Sequence, residues 1–385
     1  MASGLFARIE QLSVPAKVCG TVICFVFGLA TSLSVLFQAR RTAATRSRYV
    51  RGPVNEEGRY RPVPLLTIQA KQLSHNNFAL DLAPLTNGAL KVLEVNDTAD
   101  VRLKSSHNNG DTWDLTNANG KLLQDALGCD GCNKISFSDQ TYGWAFGSTS
   151  GLWRTNDGGA SWTHKNLPKN VSYIDMAWVN NDVGYLAGTV RGNNQDEIAV
   201  LRTDDSGRSW QMVTKFAESG SVWQILAPAK NNLLLNLSSN KLLRSQDGGV
   251  HWSEILAGAG WIQSVVCDKK GNGWIVGDAG NFRRFSDYGA TLKSQQELPV
   301  PAQKSNWRSL AISPEGFGVA VGADGAMVVT NDGGTVWQTA RLNVTENDRI
   351  KEVSRFDRVI MQGGQAFIFA ADQVFRIAQP KQIDN

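Results

Sequence analysis

The sequence predicts an all-β chain, a seven-bladed β-propeller with Asp-box hairpins, preceded by one N-terminal transmembrane helix. Three observations predict it. An octet of the form [ST]-x-D-x-G-x-x-W recurs every 40–49 residues, twelve Trp accompany 37 Gly, and residues 18–37 form one uncharged apolar run. A recurring period of this size marks a stack of small repeated units, each unable to bury its apolar face alone. Abundant aromatics and glycines suit short strands joined by tight turns.

The octet is complete at Thr155–Trp162, Thr203–Trp210, Ser245–Trp252 and Thr330–Trp337. Ser106–Trp113 carries Asn108 in place of the acid, and Phe285–Leu292 keeps only Asp287 and Gly289. The third positions, Asn108, Asp157, Asp205, Asp247, Asp287 and Asp332, are expected to staple their own turns, because a short polar side chain can accept backbone N–H bonds there. Glycine at the fifth position supplies positive φ. Trp113, Trp162, Trp210, Trp252 and Trp337 close the octets and are expected to fold back beside the hairpin. Glycine-bounded runs precede several octets: Gly143–Gly147, Gly184–Gly188, Gly273–Gly277 and Gly318–Gly322. Apolar runs precede these in turn, at 135–137, 174–178, 223–227, 261–266 and 307–312. Each period therefore reads as four antiparallel strands, one propeller blade. A seventh, box-free unit is expected over 349–355, 358–362, 365–371 and 373–378. The lone strand 62–69 is expected to pair with this last blade and close the ring, which removes exposed edges.

Four regions follow: an N-terminal tail (1–17), an anchor or signal segment (18–39), an Arg-rich linker (40–60) and the propeller (61–380). Twenty apolar residues at about 1.5 Å each cross a bilayer core of roughly 30 Å. An uncleaved anchor is preferred to a signal peptide, whose apolar stretch is usually shorter. Residues 1–51 carry seven basic groups and one acid, so the remaining 32 basic and 34 acidic groups leave the body at −2 within an overall +4. That body lacks the basic stripe a nucleic-acid partner requires.

The octets and the G-[WYV]-x-x-G strands resemble the photosystem II stability/assembly factor family, whose members are seven-bladed propellers. The resemblance covers residues 125–340 well. It implies a non-catalytic, membrane-tethered protein that binds polypeptide of a membrane protein or complex subunit. It also favours an extracytoplasmic body, although the five Arg after the apolar run favour the opposite orientation by the positive-inside rule. Sialidases, sortilin-type receptors and some xyloglucanases share the box, so a carbohydrate-active enzyme or lectin is the alternative.

No catalytic constellation, cofactor motif or metal cluster is legible. The four His lie on or near turns or stand alone, and Cys129 and Cys132 supply only two of the four ligands of a zinc site. Cys267 reads as a small core residue. The candidate binding residues open the inner strands: Tyr173, Trp223, Trp261 and Trp307 at one register, with Lys134, Arg308 and Arg349 beside them. They read as an aromatic and cationic ring on the channel face, or as inter-blade packing. Asp175 is the carboxylate a channel enzyme would use. Arg154, Arg202, Arg244 and Arg284 stand directly before boxes and form a second row.

Overall fold

The computed structural model describes residues 49–379 apart from 55–59, 65, 70, 73–77, 96–100, 117–132, 148–150, 166, 168–170, 191–195, 258–259, 297, 300–301, 347–348, 354 and 371–372. The anchor at 18–37 and the Cys129–Cys132 pair lie outside the described residues. Among the described residues no helix is long and apolar enough to cross a membrane.

Seven sheets follow one another along the chain, so the fold is an all-β, seven-bladed β-propeller. Blades one to six occupy 78–115, 134–165, 171–217, 222–257, 262–295 and 307–346, each an antiparallel run of four strands in sequence order. Blade seven holds Arg358–Gln362, Gln365–Ala370 and Gln373–Ala378, with Lys71–Gln72 as its fourth strand. The second strands explain why the sequence shows short apolar runs without alternation. Gly143–Gly147, Gly273–Gly277 and Gly318–Gly322 are buried at all five positions, because each lies between two neighbouring blades.

The core is accordingly a series of seams. One joins Tyr185 and Val200 of blade three to Leu233 and Leu235 of blade four. Another joins Phe317 and Val329 of blade six to Ile368 and Phe375 of blade seven. The box tryptophans lie in such seams: Trp113 with Phe367 and Phe369, Trp162 with Leu103, Trp210 with the Trp144 cluster, Trp252 with Phe216, and Trp337 with Trp274.

Each complete box is a closed hydrogen-bond circuit. The Thr155 hydroxyl donates to Asp157 Oδ1 (2.8 Å) and accepts the Gly159 N–H (2.8 Å), while Asp157 Oδ1 accepts the Ser161 N–H (2.9 Å). Thr203–Asp205, Ser245–Asp247 and Thr330–Asp332 repeat it, and Ser106–Asn108 reproduces it with an amide oxygen. These bonds hold the carboxyls of Asp205 and Asp247 down at about 2. Asp287 departs from the pattern. It starts a single 3₁₀ turn at φ 52°, and its backbone carbonyl accepts from Arg244 Nη1 (3.3 Å).

The fourth box residue then docks the turn onto the inner hairpin of its own blade, as in Gly158 N–H to Thr141 O (2.8 Å) and Gly333 N–H to Gly316 O (2.9 Å). At the fifth position the preceding blade leaves no room for a side chain. A Cβ on Gly334 would stand 2.4 Å from the Trp274 ring, and one on Gly159 2.4 Å from Leu103.

Three expectations need correction. Leu66–Gln69 pairs in parallel with Gln338–Glu346 of blade six, so Lys71–Gln72 closes blade seven instead. Arg349–Glu352 is not the first strand of blade seven; it folds back antiparallel onto Gln338–Glu346, with Glu346 opposite Arg349. Two intervening residues reach only about 10 Å, too short to cross four strands spaced about 4.8 Å apart toward the next inner strand. At the end of the expected linker 40–60, Tyr49–Val54 forms a strand and pairs with Tyr60–Pro64, at the start of the expected propeller, as a two-stranded sheet. Tyr and Val supply the β propensity of these two runs.

Candidate functional site

Strand order puts the start of every inner strand at the face opposite the boxes. Up one strand, down the next and up the third brings the chain to the box turn at the far end. A bulge then decides which side chains reach the channel. Pairing with the second strand skips one residue between Ala79 and Asp81, Tyr173 and Asp175, Val222 and Gln224, Ile262 and Ser264, and Trp307 and Ser309. One extra residue on the bulged strand shifts everything beyond it by one place.

The residue before the bulge packs into a seam. Tyr173 and Trp307 are there, 2% and 0% exposed, equivalent to Val222 and Ile262. Of the bulged residues, Trp223, Gln263 and Arg308 line the mouth, whereas Leu80 and Ile174 pack against the seams. The residue after the bulge reaches across to the next blade. Asp81 Oδ2 accepts the Ile135 N–H (2.9 Å), Asp175 Oδ2 accepts Ile225 N–H (3.0 Å), and Gln224 clasps the Val265 backbone at both ends (3.1 and 2.9 Å). The Ser309 hydroxyl meets the Val359 N–H (3.1 Å), and Arg358 Nη2 closes the circle on Asp81 Oδ1 (2.6 Å). Lys134 holds the corresponding place in blade two.

This circle frames a cavity of 730 Å³ lined by Lys134, Asp175, Trp223, Gln263, Arg308 and Asp357, among others. Arg308 pairs with Asp357 (2.8 Å). Trp223 lies 5.7 Å from the ring of Trp261, which is 47% exposed. Asp175 touches the cavity yet sits deep among protein atoms. Burial pushes its carboxyl up to about 6, against the opposing pull of Lys134 and the Ile225 and Met176 N–H groups.

Of the seven residues expected to form the ring, Lys134, Trp223 and Arg308 line the cavity and Trp261 flanks it. Tyr173 and Trp307 are enclosed in seams. Arg349 is on the far edge of blade six, and Arg358 holds the inner-strand place expected for it. Gln224, Gln263, Asp357 and Arg358 carry no signal in the sequence. The bulge that sets their register leaves no compositional mark, and blade seven has no box from which to count.

In the second row Arg154 and Arg244 reach the next blade, while Arg202 and Arg284 contact Asp204 and Trp274 of their own blades. Arg154 lies 5.2 Å from the Tyr142 ring and donates to Ser206 O in the next blade (3.3 Å). Arg202 pairs with Asp204 (2.5 Å), and Arg284 stacks 5.6 Å from Trp274. Cys267 is half-buried in the strand facing Trp274. Among the described residues no group of three His, Cys, Asp or Glu could hold a metal ion.

Seven blades, box turns and a framed channel mouth define the molecule as an Asp-box β-propeller. The family model described as "Photosynthesis system II assembly factor YCF48" matches residues 129–296, the stretch that contains blades two to five. The chain is 26% identical over 222 residues to the photosystem II assembly lipoprotein Ycf48 of Synechococcus sp. (strain CC9902), covering 55% of this chain and 62% of that relative's length. Against the protein of the same name from Synechococcus sp. (strain CC9605) it is 23% identical over 281 residues, covering 61% and 80%. The structure of YCF48 from Cyanidioschyzon merolae superposes with a TM-score of 0.59 over 82% of this chain and 99% of that one, at 14% identity, a likeness of fold. In its middle blades the chain is thus similar to the photosystem II assembly factors.

Proposed function

We propose that the chain is a non-catalytic scaffold or assembly factor that is tethered to a membrane by residues 18–37 and binds polypeptide segments of a membrane protein complex at the channel mouth. The observation that carries this reading is the match of residues 129–296 to an assembly-factor model, because those blades contribute Lys134, Asp175, Trp223 and Gln263 to the cavity. The relatives are named lipoproteins, which supports membrane attachment and an extracytoplasmic body. The test is crosslinking in intact cells followed by affinity capture from solubilised membranes. Recovery of a membrane-complex subunit, lost when Trp223 and Lys134 are replaced, is expected. Capture of no membrane protein at all would sink the reading. Protease shaving of intact cells checks the side on which the propeller faces.

A carbohydrate-binding reading is favoured by one observation, the adjacent Trp223 and Trp261 rings beside polar side chains, since an aromatic face accepts an apolar sugar face. Retention of the full chain by any member of a glycan panel would support it; no retention removes it.

A further inference from the structure

We propose that the channel-mouth cavity binds a carboxylate carried by an extended peptide, seated against the Trp223–Trp261 pair. This rests on the scaffold reading and goes beyond it by naming the recognised group. The argument is a count of hydrogen-bonding capacity around the cavity. The acids are occupied. Asp81 Oδ1 accepts from Leu82 N–H (3.0 Å) and Arg358 Nη2 (2.6 Å), and Oδ2 accepts from Ile135 N–H (2.9 Å). Asp175 accepts the Ile225 and Met176 N–H groups. Asp357 Oδ1 accepts from Arg308 Nη1 (2.8 Å).

The cations are not used up. Arg358 is committed to Asp81 and lies over the Phe369 ring (4.5 Å). Arg308 uses Nη1 alone on Asp357. Lys134, with three N–H donors, lines the cavity and has no hydrogen-bond or ion-pair partner among the described residues. What the site leaves unspent is therefore N–H donor capacity on cationic groups, which an anionic acceptor satisfies by charge-assisted bonds. Beside it stand two indole rings, one of them 47% exposed, an apolar wall for the residue next to the carboxylate. The volume of 730 Å³ accommodates a few side chains and falls within the usual range of ligand sites.

A carboxylate can come from a chain terminus or from Asp or Glu within a chain. Three labelled octapeptides separate these sources. The first is neutral with a free C-terminus, the second amidated with one Glu between two Leu, and the third is the second with Gln for Glu. Fluorescence anisotropy is read on the full chain in detergent. Either carboxylate peptide is expected to bind at least about tenfold more tightly than the amidated Gln peptide, the usual worth of one charge-assisted bond. The tighter of the two names the source. Lys134→Met and Trp223→Leu should each lose about tenfold, and Lys134→Arg should recover most of the loss. Wild-type binding should also weaken as salt rises.

Equal binding of the Gln peptide, salt-insensitive binding, or full binding by Lys134→Met overturns the proposal; the salt arm holds even if a variant fails to fold. A membrane subunit captured without any carboxylate-peptide binding sinks this inference alone. Peptide binding without a captured subunit sinks the scaffold reading alone.

Discussion

The two faces of this propeller are built on opposite rules. On the box face five turns repeat one solution, a hydroxyl, a short polar side chain and a glycine in a fixed circuit, and the Asp287 turn is a worn sixth copy without the hydroxyl. At the channel mouth the place after the bulge is filled by Asp81, Lys134, Asp175, Gln224, Ser264, Ser309 and Arg358, four chemistries around one circle. A ring of repeats needs the same turn in every blade, so sameness there reports on folding. Nothing in the fold demands that inner strands differ, so their variety is the part available for recognition. The comparison can be broken by substitutions that treat both faces alike.

The largest effect is expected inside the apparent ring itself. Trp307 is fully buried among Phe282, Leu310 and Trp337. Trp307→Ala should cost about 4 kcal/mol in a denaturant titration, the usual range for truncating a buried aromatic. Arg358→Met comes next, at about 3 kcal/mol at neutral pH, because it leaves Asp81, 5% exposed, without its counter-charge where blade seven meets blade one. A cost under about 0.5 kcal/mol for Arg358→Met would mean that the circle does not help close the ring.

Asp175 sharpens the comparison through pH. Its folded-state carboxyl is raised to about 6 from an ordinary value of 3.8, so between these pH values the folded protein binds more protons than the unfolded chain. Its contribution to stability therefore declines as pH rises from about 4 to 6 and is level above. The full span is at most about 3 kcal/mol. Asp205 and Asp247, held at about 2, act with the opposite sign: their stabilisation is present above the ordinary carboxylate range and is lost as pH falls through it toward 2. Asp175→Asn keeps an oxygen for the Ile225 N–H and should flatten the first slope while leaving the second. Denaturation midpoints from pH 3 to 7 read both slopes in one series. Persistence of the upper slope in the variant would exclude Asp175 as its source.

How much of this was legible follows the same division. The boxes at Asp157, Asp205, Asp247 and Asp332 define the blades from sequence because every copy carries the same turn. Blade seven lacks a box to count from: Arg349–Glu352 forms a strand, and only the two-residue gap after Glu346 betrays its hairpin with blade six. The channel is hidden in the sequence for a subtler reason. Tyr173, Trp223, Trp261 and Trp307 align by counting back from the apolar strand, yet they fall into three structural places. Tyr173 and Trp307 precede the bulge, Trp223 occupies it and Trp261 lies just outside the strand. Bulges change the backbone without changing residue type, so composition cannot find them.

Glycine spacing gives a smaller test on the box face. Gly333 and Gly334 both have positive φ (73° and 83°), but a Cβ on Gly333 meets nothing within 4 Å whereas one on Gly334 meets Trp274 at 2.4 Å. Gly333→Ala should cost about 1 kcal/mol from the left-handed backbone alone. Gly334→Ala should cost about 2 kcal/mol or more, since an indole packed in a seam must also move. Equal thermal shifts for the two variants would show that close contact between blades is not what fixes glycine at the fifth position.

The smallest effect on stability is expected where binding is proposed. Trp261 is 47% exposed and lies beside Trp223 at the open mouth. Trp261→Ala removes one ring contact and opens no cavity in a seam, so the denaturation midpoint should move by no more than about 0.5 kcal/mol. Set against Trp307→Ala, this separates two residues that look alike in the sequence by a factor of about eight in cost. A large indole left about half in water at the rim of a polar cavity contributes less to the fold that carries it than one sealed in a seam. A loss of several kcal/mol at Trp261 would return it to the packing residues and leave Trp223 as the lone aromatic of the mouth.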